Sequence, residues 1–169
     1  MARPALQDAA EFYHGYINQV KGNSVAEAMI NHAEEIKTFY SHLPESKADF
    51  AYAENKWTIK ELLQHVIDAE RIFAYRALRI ARKDATPLAS FDENAYTENA
   101  NAKGRALQSL KDEFEAVRKS TDLMLQSFDE DQLNSTGTAS NKSITVNAIA
   151  FIIYGHLLHH KKISEDRYL

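Results

Sequence analysis

Apolar residues recur at intervals of three and four along most of this chain, the spacing of one face of an α-helix. The pattern is clearest from Ile59 onward, where Leu62, Leu63, Val66, Ile67, Ala69, Ile72, Phe73, Tyr75, Ala77, Leu78 and Ile80 follow in register and predict a long helix over residues 59–82. Thr58 and Glu61 mark its start as a capping box, in which hydroxyl and carboxylate each satisfy the other's free backbone amide. Ser24 and Glu27 repeat that signature, and Ala28, Ile30, Ala33, Ile36, Phe39, Tyr40 and Leu43 carry a second helix as far as Pro44. A shorter amphipathic helix is expected over residues 6–20, with Phe12, Tyr13, Tyr16 and Ile17 covering the core and Gly22 suiting the helix end. Leu107, Leu110, Phe114, Val117, Leu123, Met124 and Leu125 predict another long helix over residues 103–128. In the last one, residues 143–166, the run Ile144, Val146, Ala148, Ile149, Phe151, Ile152, Ile153 and Tyr154 is broad enough to be buried on most sides.

Two stretches lack this periodicity. Residues 83–101 are rich in Asp, Asn, Ser and Thr around Pro87, and read as a long connection; residues 129–142 (DEDQLNSTGTASNK) read as a polar loop. With no internal repeat and no linker between separate cores, the expected fold class is all-α: one domain over residues 1–169, a four-helix bundle with a short extra N-terminal helix. The connection before residue 103 is longer than antiparallel neighbours need, which points to a crossover between the second and third long helices.

Composition narrows the function classes. The 169 residues carry a formal net charge of -4, with 44% hydrophobic and 26% charged residues, the balance of a globular protein. No basic run longer than a pair occurs, so the electrostatic footprint of a nucleic-acid binder is missing. No window approaches the roughly 18 uncharged apolar residues of a membrane span, and the N-terminal residues lack the apolar core of a secretory signal. A cytoplasmic protein is expected. There is no cysteine, which rules out disulfides, thiolate nucleophiles and Cys-ligated zinc; any metal chemistry must use His and carboxylates.

The informative residues are histidines. Seven occur, three of them within Gly155-His156-Leu157-Leu158-His159-His160. Positions i and i+4 of a helix lie about 40° apart, so His156 and His160 can aim their imidazoles at one point; His159 lies about 60° to the other side of His156 and could replace His160 but not join it. An H-x-x-x-H pair on a helix is common, and two ligands bind weakly. His65, set inside an apolar stripe, supplies an inward third donor, and three neutral imidazoles leave open coordination positions, as in catalytic sites. A buried histidine bonded only to backbone is the plainer alternative. His14, His32 and His42 have no partner at helical spacing. Glu61 and Asp68, one turn before and after His65, are candidates for orienting a ligand or moving a proton, against the simpler reading of a cap and a solvated charge. Asp92, Glu93 and Asn94 lie in the long connection with no placement from sequence. Trp57 reads as a hydrophobic staple against Leu62.

Residues 57–71 (WTIKELLQHVIDAER) and 75–82 (YRALRIAR) resemble the second helix of the DinB-like superfamily, and residues 155–160 (GHLLHH) with 166–169 (DRYL) resemble its last. The resemblance runs in order over essentially the whole chain. It implies a bundle in up-down-down-up order, often a homodimer, with a divalent metal held by His65, His156 and His160; His159 matches a position that is often His but not usually a ligand. Zinc or nickel is the first expectation for the ion, then iron or manganese, since imidazole suits several of these. Relatives include transferases and isomerases that use low-molecular-weight thiols, proposed metal-dependent hydrolases, and members with no assigned reaction. A metal-dependent hydrolase or thiol-dependent transferase acting on a small molecule is therefore expected, with a non-catalytic metal-binding stress-related protein as the alternative. The resemblance does not extend to the translesion DNA polymerase that shares the name.

Overall fold

The computed structural model describes residues 2–169. Four long helices form the bundle: α2 (Val25–Ser41), α3 (Ile59–Ala81), α5 (Leu107–Gln126) and α7 (Val146–Arg167). Three short ones, α1 (His14–Gln19), α4 (Glu93–Asn99) and α6 (Glu130–Leu133), and a hairpin of β1 (Thr136–Ala139) and β2 (Lys142–Thr145) fill the connections. The predicted starts hold at Ser24, whose hydroxyl accepts from the Glu27 amide, and at Thr58, where the capping box with Glu61 is complete.

Contacts between helices fix their directions. Lys60 donates to the Lys103 carbonyl, Arg105 to Gln64, and Arg118 to Glu70, so residue numbers climb together and α5 runs parallel to α3. Between α3 and α7 they run in opposition: His65 meets His156, and the Trp57 carbonyl accepts from the Tyr168 hydroxyl. Tyr40 stacks on Phe114 while Gln126 reaches Met29, so α2 opposes α5. The order is up-down-down-up, with the predicted crossover between α3 and α5. Every residue from 146 to 157 is buried, because α1, α2, α3 and the hairpin all pack on α7.

The connections hold more structure than their composition suggested. Residues 93–99 form α4, capped by the Asp92 carboxylate on the amides of Asn94 and Ala95. The polar stretch after α5 contains α6 and the hairpin, whose two-residue turn places Ser140 and Asn141 at φ 52 and 60°, the left-handed pair of a type I′ turn. Leu88 pairs with the hairpin's edge, its amide donating to Thr138 and its carbonyl accepting from Ser140, so the crossover is docked rather than loose. The N-terminal segment is one helix only over α1. Before it lie two single 3₁₀ turns, held by Asp8 accepting from the Ala5 amide and by the His14 ring against the Leu6 and Ala9 carbonyls; such side-chain bonds compete with helix continuation. The last helix begins at Val146 because residues 143–145 belong to β2, whose final residue Thr145 caps α7.

Candidate metal centre

His65 stands in the second turn of α3, and His156 and His160 on one face of α7. The Nε2 atoms of His65 and His156 lie 3.1 Å apart, as do those of His160 and His156. One donor atom from each of the three falls within 4.8 Å of the others, and the residues are 6, 6 and 9% exposed. Aromatic rings close around them: Trp57 is 4.7 Å from the His65 ring, while Tyr16 and Phe73 present edges to His156 at 5.5 and 5.9 Å.

The donor set fits a divalent transition ion better than it fits itself. A neutral imidazole nitrogen carries either one hydrogen or one lone pair, so the His156 Nε2 can hydrogen-bond to one of its two neighbours and not to both. The second contact is left either sharing that one hydrogen or lone pair, or facing its like. A cation resolves this by accepting all three lone pairs, and two nitrogens each about 2.1 Å from one ion stand about 3.0–3.4 Å apart. The Nδ1 of His160 is buried with no partner among the described residues, so the ring's polar contact is the one at Nε2, inside the trio. Burial lowers all three rings, His65 to about 4 and His160 to about 2, with His156 also well below the usual range; the nearby histidine charges, His159 among them, push the same way. At neutral pH the trio is uncharged, the form that ligates.

Two clefts open beside the rings. One of about 490 Å³ is lined by His65 and His156 together with Tyr16, Phe73, Arg76 and Glu93. The other, about 240 Å³, reaches His160 past Trp57, Asn94 and Tyr168. A larger groove of about 680 Å³ between α2 and α5 is lined by none of the histidines and mostly by charged side chains.

The two carboxylates flanking His65 are engaged elsewhere. Glu61 accepts from the Thr58 amide and hydroxyl at 2.8 and 2.9 Å and pairs with Lys103 at 3.4 Å. Burial works to raise it, but these partners outweigh burial and hold it below the ordinary carboxylate range. Asp68 accepts from Gln64 at 3.0 Å and faces Arg71; burial raises it, outweighing those two partners. Neither hydrogen-bonds any of the three histidines. His159 is half-buried, 5.2 Å from Tyr16, and lies outside the trio. Trp57, expected as a staple against Leu62, lies over the His65 ring. Of the residues left unplaced, Glu93 lines the larger cleft and Asn94 the smaller. Tyr16, expected only to cover the core, also lines the larger cleft, as does Arg76, which sits on the same α3 face as His65 and which the sequence did not mark as a site residue. His32 is a packing residue, its Nε2 accepting from the Lys21 amide.

Known proteins agree with this architecture. The family model described as the DinB superfamily matches residues 28–163, which include all three histidines. YfiT of Bacillus subtilis, described as a probable metal-dependent hydrolase with an unusual four-helix-bundle topology, superposes with a TM-score of 0.71 at 16% identity, covering 96% of this chain and 91% of its own. The mycothiol-dependent maleylpyruvate isomerase gives 0.67 at 15% identity, over 86% of this chain and 61% of that longer one. A DinB-like protein of Bacillus subtilis, YjoA, gives 0.58 at 15%, over 85 and 89%. Among curated proteins none matches by sequence. No described helix is long and apolar enough to cross a membrane.

Proposed function

The chain belongs to the DinB superfamily, and from that premise we propose that it is a metal-dependent enzyme, a hydrolase or a low-molecular-weight-thiol-dependent transferase, centred on His65, His156 and His160. The observation that carries this reading is the convergence of three buried, uncharged imidazole nitrogens beside open clefts rather than inside a closed cage. A divalent ion held there, zinc or nickel before iron or manganese, supplies a Lewis acid that makes a water or a thiol nucleophilic near neutral pH.

The protein's own residues do the rest. The three rings would hold the ion, with Trp57, Tyr16 and Phe73 packed around them to exclude bulk water from their sides. Glu61 is assigned a positioning role, since its capping box fixes the start of α3 and so the His65 backbone one turn on. Asp68 is assigned one through Gln64, the residue before His65. With no cysteine in the chain, a thiol must arrive as cosubstrate.

Elemental analysis of protein purified without a histidine tag tests the reading. About one ion per chain is expected, lost in His65→Ala and in His160→Ala. An ion at about 100 times its Kd adds about 2.7 kcal/mol, so chelation should lower Tm by several degrees in the wild type and not in either variant. Metal-free wild type sinks the proposal. Stoichiometric metal without ester or amide hydrolysis, or thiol conjugation, across a broad panel sinks the enzyme and leaves the second reading, an ion that fastens α3 to α7.

A further inference from the structure

Arg76 is a buried cation without a counter-ion. It is 3% exposed, yet among the described residues no carboxylate lies within ion-pair distance of it. The other buried arginine, Arg118, is neutralised by both Glu70 and Asp122. Around Arg76 the acceptors are neutral: its Nη2 donates to the Ala89 carbonyl at 2.6 Å and to the Ser140 hydroxyl at 3.2 Å, and the Tyr13 hydroxyl lies beside it. Such bonds hold the guanidinium in place without compensating its charge, and an uncompensated buried charge is costly to keep.

The position of Arg76 says where an anion would come from. It lies eleven positions after His65, so on α3 the two share a face to within about 20°, with Phe73 between them. Helical side chains lean toward the N-terminus, which tilts Arg76 back along the cleft toward His65. The guanidinium carbon is 5.9 Å from the Phe73 ring, which is itself 5.9 Å from the His156 ring. All three line the cleft of about 490 Å³, a volume suited to a small organic ligand. Tyr16 and Phe91 add apolar walls. Glu93, the one carboxylate lining this cleft, is exposed and beyond ion-pair distance of Arg76, and it disfavours a second negative charge there.

We infer that this cleft binds a small monoanion with an apolar, aromatic-sized body, its carboxylate forked onto Arg76, its body against Phe73 and Tyr16, and its far end presented to the three histidines. The inference names the substrate class of the proposed enzyme and rests on that reading of the cleft. A planar guanidinium matches a carboxylate bidentately, which a lysine cannot do.

The test uses calorimetry with three aryl carboxylates (benzoate, phenylacetate and 3-phenylpropionate) and their uncharged amides, on the protein as purified and after metal removal. At least one carboxylate is expected to bind tenfold or more tighter than its amide in both preparations. Arg76→Met should abolish that preference and Arg76→Lys should keep only part of it, with metal content unchanged in both. Carboxylate and amide binding equally in the wild type, or none of the three binding at millimolar concentration, overturns the inference without recourse to a variant that might misfold. So does a preference that disappears with the metal, since the carboxylate is then a ligand of the ion. Stoichiometric metal with no carboxylate preference removes this inference and spares the metal centre; an Arg76-dependent preference in a protein that binds no metal does the reverse.

Discussion

Replacing Gly155 by alanine sets two effects of opposite sign against each other. In a helix interior alanine is favoured over glycine by about 1 kcal/mol, because less backbone entropy is lost. Against this, a Cβ at position 155 would lie 2.1 Å from the Tyr16 carbonyl oxygen, 2.5 Å from its carbon and 2.9 Å from its Cα, well inside an optimal contact of about 3.5 Å. All three are backbone atoms, so no rotamer change relieves the overlap and α1 must withdraw from α7 as a unit. That movement is opposed by burial of Ile17 and by Arg3, whose guanidinium clasps the Ile17, Val20 and Gly22 carbonyls. Overpacking of this kind costs about 1–3 kcal/mol, and partial exposure of Ile17 adds part of the roughly 1.5–3 kcal/mol that its burial contributes. The clash therefore wins, with a net loss of about 1–3 kcal/mol and several degrees of Tm. Urea and thermal denaturation measure it. Gly15, in α1, has nothing within 4 Å of the equivalent position, so Gly15→Ala is the control and should be neutral or gain up to about 1 kcal/mol. A Gly155→Ala protein as stable as the wild type would refute the argument.

Two further perturbations probe other parts of the fold. Tyr168 donates its hydroxyl to the Trp57 carbonyl at 2.7 Å and is raised from 10.0 to about 12, by burial first and then by the charges of Tyr52 and Glu61. Its contribution is thus complete below pH 10 and is lost as pH rises through about 12. Emission from Trp57, the only tryptophan, should change across that window in the wild type and not in Tyr168→Phe; the same step in both proteins would remove Tyr168 as its cause. Arg118→Met leaves Glu70, 2% exposed, as an unpaired buried carboxylate, at a cost of about 3–5 kcal/mol in urea unfolding, most of it recovered by adding Glu70→Met. A single variant within 1 kcal/mol of wild type would show that Glu70 finds other compensation.

Periodicity over three or more turns was legible from the sequence wherever one side-chain face had to be buried, hence α2, α3, α5 and α7. Elements that carry few apolar residues escaped it. The hairpin has strands of four residues each and a Ser140-Asn141 turn in place of the Asn-Gly that usually announces one, while α4 buries only Thr97. The centre was legible in part because His156 and His160 are one turn apart and His65 interrupts an apolar stripe. Arg76 was not, since an arginine on a long helix reads as a solvated charge until its neighbours are known. Nor was the role of Gly155, whose missing side chain matters only because the Tyr16 backbone arrives from 139 residues away in sequence.

His65 and His156 are separated by 91 positions, which has a consequence for when an ion can be captured. During synthesis a growing chain displays His65 long before His156 and His160 exist, and a single imidazole retains a divalent ion poorly. The H-x-x-x-H pair, when it emerges, still lacks its third donor until α3 and α7 meet. Closing so long a loop carries an entropic cost, and the packing of α3 on α7 is what brings the three rings together. On the reading proposed above, the choice of ion would fall to the finished cleft, and occupancy would record what the protein meets after folding.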